Sequence, residues 1–133
     1  MSEPLQVGLR ATRHFDVDLE RIINFMGDDC RVYSTPKMLY DIEMVCRDLL
    51  MAHIEPGQDS VGTRVELDHI GATPLGMWAD ITVTVAEIKG RAVTFDFVAR
   101  DAMEEIAHGK HSRVIVGIAK TAQRLKAKLA KAV

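Results

Sequence analysis

The sequence predicts an α+β fold in which one long helix packs across the concave face of a curved, mostly antiparallel, five-stranded sheet. Three observations predict it. Residues 34–53, "STPKMLYDIEMVCRDLLMAH", form a long stretch of helical period, with Leu39, Ile42, Cys46, Leu49 and Leu50 recurring on one side. From residue 60 onward apolar and polar residues alternate almost to the tail, and a further alternating stretch precedes the helix. An amphipathic helix cannot bury its stripe alone, and a sheet with one apolar face needs a cover, so each supplies what the other lacks.

The 133 residues suit a single domain over 1–133, with a core over about residues 5–120 and a basic tail over 121–133. Hydrophobic residues at 47% and charged residues at 27% are the balance of a soluble globular chain, which excludes the disordered and membrane classes. No apolar run approaches the ~20 residues needed to cross a bilayer. The start "MSEPLQVGLR" has neither the basic end nor the apolar block of a signal peptide, so the expected location is cytoplasmic. Cys30 and Cys46 are accordingly expected as reduced thiols. A net charge of −2 gives no general attraction to nucleic acid or membrane. Only "KTAQRLKAKLAKAV" is basic, carrying Lys120, Arg124, Lys126, Lys128 and Lys131 without an acid, and it reads as a solvated end segment rather than a phosphate-binding patch.

In chain order, "GLRATRHFDV" alternates Leu9, Ala11, Arg13, Phe15 and Val17 against polar residues and predicts a strand of ten. "DLERIINFM" suggests a helical turn, and "GDDCR" a polar loop. Thr35 suits the N-cap of the long helix and Pro36 its first position, where a missing N–H costs nothing; the apolar pattern runs to about His53 and "EPGQD" ends it. "SVGTRVELDHI" is expected to place Val61, Thr63, Val65, Leu67 and His69 on one face. "GATPLG" turns into "MWADITVTVAEI", and "KGR" reverses into "AVTFDFVARD". "EEIAHGKHSRVIVGIA" is the last and longest strand, with a bulge or bend expected at Gly109. Edge strands must be covered, charged or paired, which makes a dimer plausible.

Three residues break their patterns. Glu43 falls at one flank of the apolar stripe, where a carboxylate either reaches water or needs a charged or hydrogen-bonded partner. His69 ends an inward register just before a turn, as a satisfied core residue or as a group facing a cleft. Thr35 caps a helix whose free N–H groups also suit a developing oxyanion. Eight residues of helix separate Thr35 from Glu43, ~12 Å of rise, so the three meet only around a substrate or across an interface. His111 and Arg113 share a face of the last strand and His108 lies on the other, which makes no chelating set. No zinc spacing, phosphate-binding glycine loop or nucleophile elbow occurs, so neither metal nor cofactor is expected.

"YSTPKMLYDIEM", "IEPGQDSVGTRVELDHIGATPLG" and "HGKHSRVIV", in that order and at these separations, resemble the fluoroacetyl-CoA thioesterase family of hot-dog proteins over residues 5 to 120. The resemblance implies a hot-dog fold, a helix wrapped by an antiparallel sheet, and a homodimer or larger assembly with the acyl-thioester site at the subunit interface. It implies a catalytic group of Thr35, Glu43 and His69, and an acyl pocket lined by Gly62 and Arg113. The family's namesake carries phenylalanines in the lid segment before the helix; this chain has Met26 and Asp29 at the aligned positions of "FMGDDCRVY", a change expected to alter which acyl group is enclosed. The expected function is hydrolysis of a short or small acyl-CoA, Glu43 serving as base or nucleophile. The alternatives are a non-catalytic acyl-CoA-binding hot-dog protein and a hot-dog hydratase or dehydratase.

Overall fold

The computed structural model of the chain describes residues 3–132. Five long strands form one antiparallel sheet in the order β1-β5-β6-β7-β4: β1 (Arg10–Asp16), β5 (Trp78–Lys89), β6 (Ala92–Asp101), β7 (Glu105–Gly117) and β4 (Gln58–His69). The helix α1 (Thr35–Met51) lies against β1, β4 and β5. Its Met38, Ile42, Val45, Cys46 and Leu50 meet Ile81, Val83, Val85, Val93, Phe95 and Ile106 of the sheet in one core. Each such side chain contributes ~1.5–3 kcal/mol by leaving water. The predicted architecture is therefore present: a helix embraced by a five-stranded sheet.

Several local expectations are corrected. Ser34, not Thr35, is the N-cap; its hydroxyl accepts from the Lys37 N–H at 3.3 Å, which leaves the Thr35 hydroxyl free for another partner. "DLERIINFM" is no helical turn: Ile22–Ile23 (β2) pairs antiparallel with Val32–Tyr33 (β3), and a 3-10 turn occupies Asp28–Cys30 where a loop was expected. Arg21 is drawn out of a helical path by Asp18 and by Asp41 of α1, at 3.0 and 2.8 Å. β1 is shorter than expected, seven residues rather than ten. The tail is ordered as α2 (Ile118–Ala132), with no buried residue.

The apolar stripe of α1 is also rotated from its predicted centre. Met38 and Val45 are fully covered, while Leu39 and Leu49 are only half-buried. The far flank carries Asp41, which is buried and accepts hydrogen bonds from Tyr33 Oη and Arg21 Nε. Burial, ahead of that hydrogen bond, pushes the Tyr33 phenol pKa up, and the bond to Asp41 raises that of Arg21.

The most consequential correction lies in β4. Its register against β7 slips between Gly62 and Arg64, so Thr63 is an extra residue and the alternation reverses there. Gly109 was the expected bulge, yet it stays in register opposite Leu67 and Phe97; a Cβ on it would lie 1.8 Å from the Glu66 carbonyl oxygen, so glycine serves a close backbone approach. Gly62 pairs with Arg113 and Val65 with His111, residues two apart on one face, so Ser60, Gly62, Val65, Leu67 and His69 all face the helix and Val61 faces away. Without the bulge, Gly62 and His69 would lie on opposite faces.

Candidate active site

The five residues singled out by sequence fall into two groups on the helix-facing side of β4. At one end the Thr35 hydroxyl lies 2.6 Å from His69 Nδ1. Thr35 occupies the first turn of α1, and His69 ends β4 beside a cavity of about 230 Å³ lined by Val32, Tyr33, Ile70 and Gly71. The other ring nitrogen, Nε2, is buried with no hydrogen-bond partner among the described residues. Burial lowers the pKa of His69, which leaves the imidazole neutral near pH 7 and able to exchange a proton.

At the other end Glu43 leans from the second turn further along α1 onto β4 and β7. Its Oε1 lies 3.8 Å from Arg113 Nη1 and 3.6 Å from His111 Nε2, and its side chain keeps 35% of its exposure. Arg113 is itself fixed: Nε donates to Ser60 Oγ at 2.7 Å and Nη2 to the Ser60 carbonyl at 2.9 Å. His111 Nδ1 sits 2.9 Å from the Arg64 carbonyl, which can only accept, so Nδ1 carries the proton and Nε2 accepts from Arg113 Nη1 at 3.1 Å. The charged partner that a flanking carboxylate requires is therefore Arg113, held in place by His111 and Ser60. Sequence reasoning set His111 aside and missed Ser60. It had placed His111 and Arg113 on one face, and only the register against β4 reveals what that face looks at.

Gly62 is the floor beneath Glu43. A Cβ there would lie 2.6 Å from Glu43 Oε1, 3.2 Å from His111 Cε1 and 3.5 Å from Arg113 Nη1. Only the absence of a side chain lets the carboxylate approach the strand. Gly62→Ala is expected to swing the flexible Glu43 head away from Arg113 and, as a misplacement of ~1 Å, to lower kcat/KM by about 10²-fold while the melting temperature barely changes. Steady-state kinetics beside a thermal melt check it.

His111 also makes a stability prediction. Burial, the largest influence, lowers its pKa below the ordinary 6.5. The unfolded chain then takes up a proton below about pH 6.5 that the folded chain refuses, so stability is full above that pH and falls as pH drops towards the folded-state value. Urea midpoints are expected to decline from pH 7.5 to pH 5, and to decline less in His111→Gln, whose amide cannot titrate.

The two groups do not meet within one chain. Thr35 and Glu43 are separated by ~12 Å of helix rise, and Gly62 and His69 by roughly 20 Å of strand. Among the described residues no cluster of three His, Cys, Asp or Glu side chains is placed to hold a metal ion, and no helix is long and apolar enough to cross a membrane.

The family model of the fluoroacetyl-CoA-specific thioesterase, FlK, matches residues 17–119. The fluoroacetyl-CoA thioesterase of Streptantibioticus cattleyicolor is 27% identical over 127 residues, covering 90% of this chain and 91% of that protein. A solved structure of the fluoroacetyl-CoA thioesterase FlK superposes with a TM-score of 0.86 at 26% identity, over 95% of this chain and 98% of that one. A Thermus thermophilus member of the thioesterase superfamily superposes with a TM-score of 0.84 at 24% identity, over 96% and 98% of the two chains, a likeness of fold.

Proposed function

This chain belongs to the fluoroacetyl-CoA-specific thioesterase family and is a thioester hydrolase of hot-dog fold; on that premise we propose that it works as a cytoplasmic homodimer whose site joins the two groups across the subunit interface. Thr35 and His69 come from one copy, and Glu43, Gly62 and Arg113 from the other. Water attacks the thioester carbonyl with Glu43 as base, or Glu43 attacks it directly, expelling the thiolate to form an anhydride that water then cleaves to free the acid and restore the carboxylate. The Thr35 hydroxyl and the Thr35 backbone N–H hold the developing oxyanion, since Pro36 has no N–H and the Lys37 N–H is taken by the Ser34 cap, and His69 orients the substrate and moves a proton.

The observation that carries the reading is the bulge at Thr63 on an unpaired edge. β4 is the outer strand of the sheet, with Val61 44% and Val65 37% exposed. An antiparallel pairing of β4 with β4 of a second copy that brings Gly62 opposite the partner's His69 spans three residues on the bulged side and two on the other. Val65 then meets the partner's Leu67, and Arg64 meets the partner's Asp68, apolar against apolar and cation against anion. The twofold axis falls at Glu66, whose charge Arg64 of its own chain offsets. The same pairing removes an exposed edge that would otherwise template aggregation.

The substrate class we assign is a small acyl group on CoA, consistent with the modest cavity beside His69. Phe25 and Met26 stand outward, 88% and 72% exposed, and Asp29 is exposed on the 3-10 turn, so the segment aligned with the aromatic lid reaches that cavity only through Val32 and Tyr33 at its end. The test is release of free CoA and the matching acid from a panel running from acetyl-CoA and fluoroacetyl-CoA to longer chains. Turnover that falls with acyl length supports the reading; tight binding with no release across the panel would convert the chain into an acyl-CoA-binding protein, and hydration of an enoyl-CoA into a hydratase.

A further inference from the structure

The basic tail has an explanation that the catalytic site does not use. All five of its cations, Lys120, Arg124, Lys126, Lys128 and Lys131, lie on α2. Removing them from the chain's seventeen leaves twelve cations against nineteen anions in residues 1–119, a net of −7 beside a helix end segment of +5. An anionic substrate is thus repelled by the body of the protein and drawn to one helix. At 100° per residue Ile118, Ala122, Leu125 and Leu129 form an apolar stripe on α2, Lys126 and Lys128 flank it on either side, and Lys120, Arg124 and Lys131 fill the remaining arc.

The inner side of that stripe borders a mostly apolar groove of about 310 Å³ on the outer face of the sheet, lined by Ser60, Val61, Val116, Ile118, Ala122 and Leu125 together with Thr121 and Asp59, whose carboxylate is already ion-paired with Arg47 at 2.7 Å. Ser60 is shared between this groove and the site, for its hydroxyl and carbonyl hold Arg113. The strand pairing proposed above ends at Gly62, because β4 of the second copy ends at His69. Residues 58–61 therefore stay open as an edge around which a chain can pass from the Glu43 side to the α2 side.

We infer that α2 and this groove bind the CoA part of the substrate, the groove taking the pantetheine arm and the helix cations taking the 3′-phosphate and diphosphate. The inference rests on the thioesterase reading and deepens it. The arm has about twelve bonds, the reach of four extended residues or on the order of 14 Å, enough to join a thioester at Glu43 to cations across the edge. Charge complementarity selects this occupant over a second copy of the chain, whose α2 would bring five like charges against five.

The test replaces Lys120, Arg124, Lys126, Lys128 and Lys131 together with Gln, which preserves helix propensity. Two substrates are compared, acetyl-CoA and S-acetyl-N-acetylcysteamine, which has the thioester but no phosphate. The ratio of kcat/KM for the first to that for the second is expected to fall at least tenfold, and its dependence on salt to flatten. Calorimetric titration with free CoA, which needs no turnover, is expected to show at least tenfold weaker binding by the variant, with pantetheine unaffected. An unchanged ratio and an unchanged CoA affinity overturn the inference, as does a shift of the variant's oligomeric state in place of its CoA affinity, which would give the surface to a second copy. The two readings fail separately: CoA binding lost in the variant without hydrolysis of any thioester by the wild type sinks the thioesterase, while hydrolysis with an unchanged ratio sinks only the role of α2.

Discussion

Glu43→Gln is expected to lower kcat for the best acyl-CoA by about 10²–10⁴-fold, the range of a positioned base. The substitution keeps the length and shape of the side chain, and Gly62 leaves room for an amide as it does for a carboxylate. What disappears is the ability to take a proton or to attack, together with the charge that answers Arg113. The fold should hardly notice. The ion pair is long, at 3.8 Å, Glu43 is partly solvated, and the buried Arg113 keeps both its bonds to Ser60 and an amide oxygen to donate to, so the loss costs about 1–2 kcal/mol. Kinetics and a melting curve on the same preparation separate the two effects; a loss of turnover below tenfold would remove Glu43 from the chemistry.

Asp41→Ala is expected to do the reverse, with a large loss of stability. Asp41 is 3% exposed and Tyr33 1%, and the Tyr33 hydroxyl donates to the Asp41 carboxylate. Arg21 adds two further hydrogen bonds to it, at 2.8 and 3.3 Å. Truncation strands a buried phenol and a half-buried guanidinium, and breaking such a pair costs about 3–5 kcal/mol. Arg21 retains Asp18 and some solvent, which puts the expectation near the lower end. The urea midpoint should fall with little change in slope, and Asp41→Asn, which keeps an acceptor for Tyr33, should lose clearly less. Because Tyr33 leads directly into Ser34 and Thr35, the same network fixes where α1 begins and hence where the Thr35 hydroxyl points.

The sequence made the elements of the candidate site legible and hid how they are joined. The period change after residue 60 announced the sheet, and three pattern breaks announced Thr35, Glu43 and His69. The role of Ser34 was misassigned because Ser and Thr are both good caps and neighbours compete for one position. Asp41 drew no notice in the sequence, since its partners, Arg21 and Tyr33, lie outside the helix. The bulge left no signal: strict alternation across Thr63 is a valid strand pattern, and only pairing with β7 reveals that one residue is extra. That slip decides whether Gly62 and His69 share a face, so the arrangement of the site depends on register, a property of two strands together.

The central claim is that each working site takes Thr35 and His69 from one subunit and Glu43, Gly62 and Arg113 from the other. Mixing two inactive proteins, Glu43→Gln and His69→Ala, under conditions that exchange subunits measures it directly. In a heterodimer built this way one site carries both substitutions and the other carries neither. With half the dimers mixed and half of their sites intact, activity should recover to about a quarter of wild type. Heterodimers verified by native mass spectrometry that show no more activity than the two parents would contradict the shared site and return all five residues to a single chain.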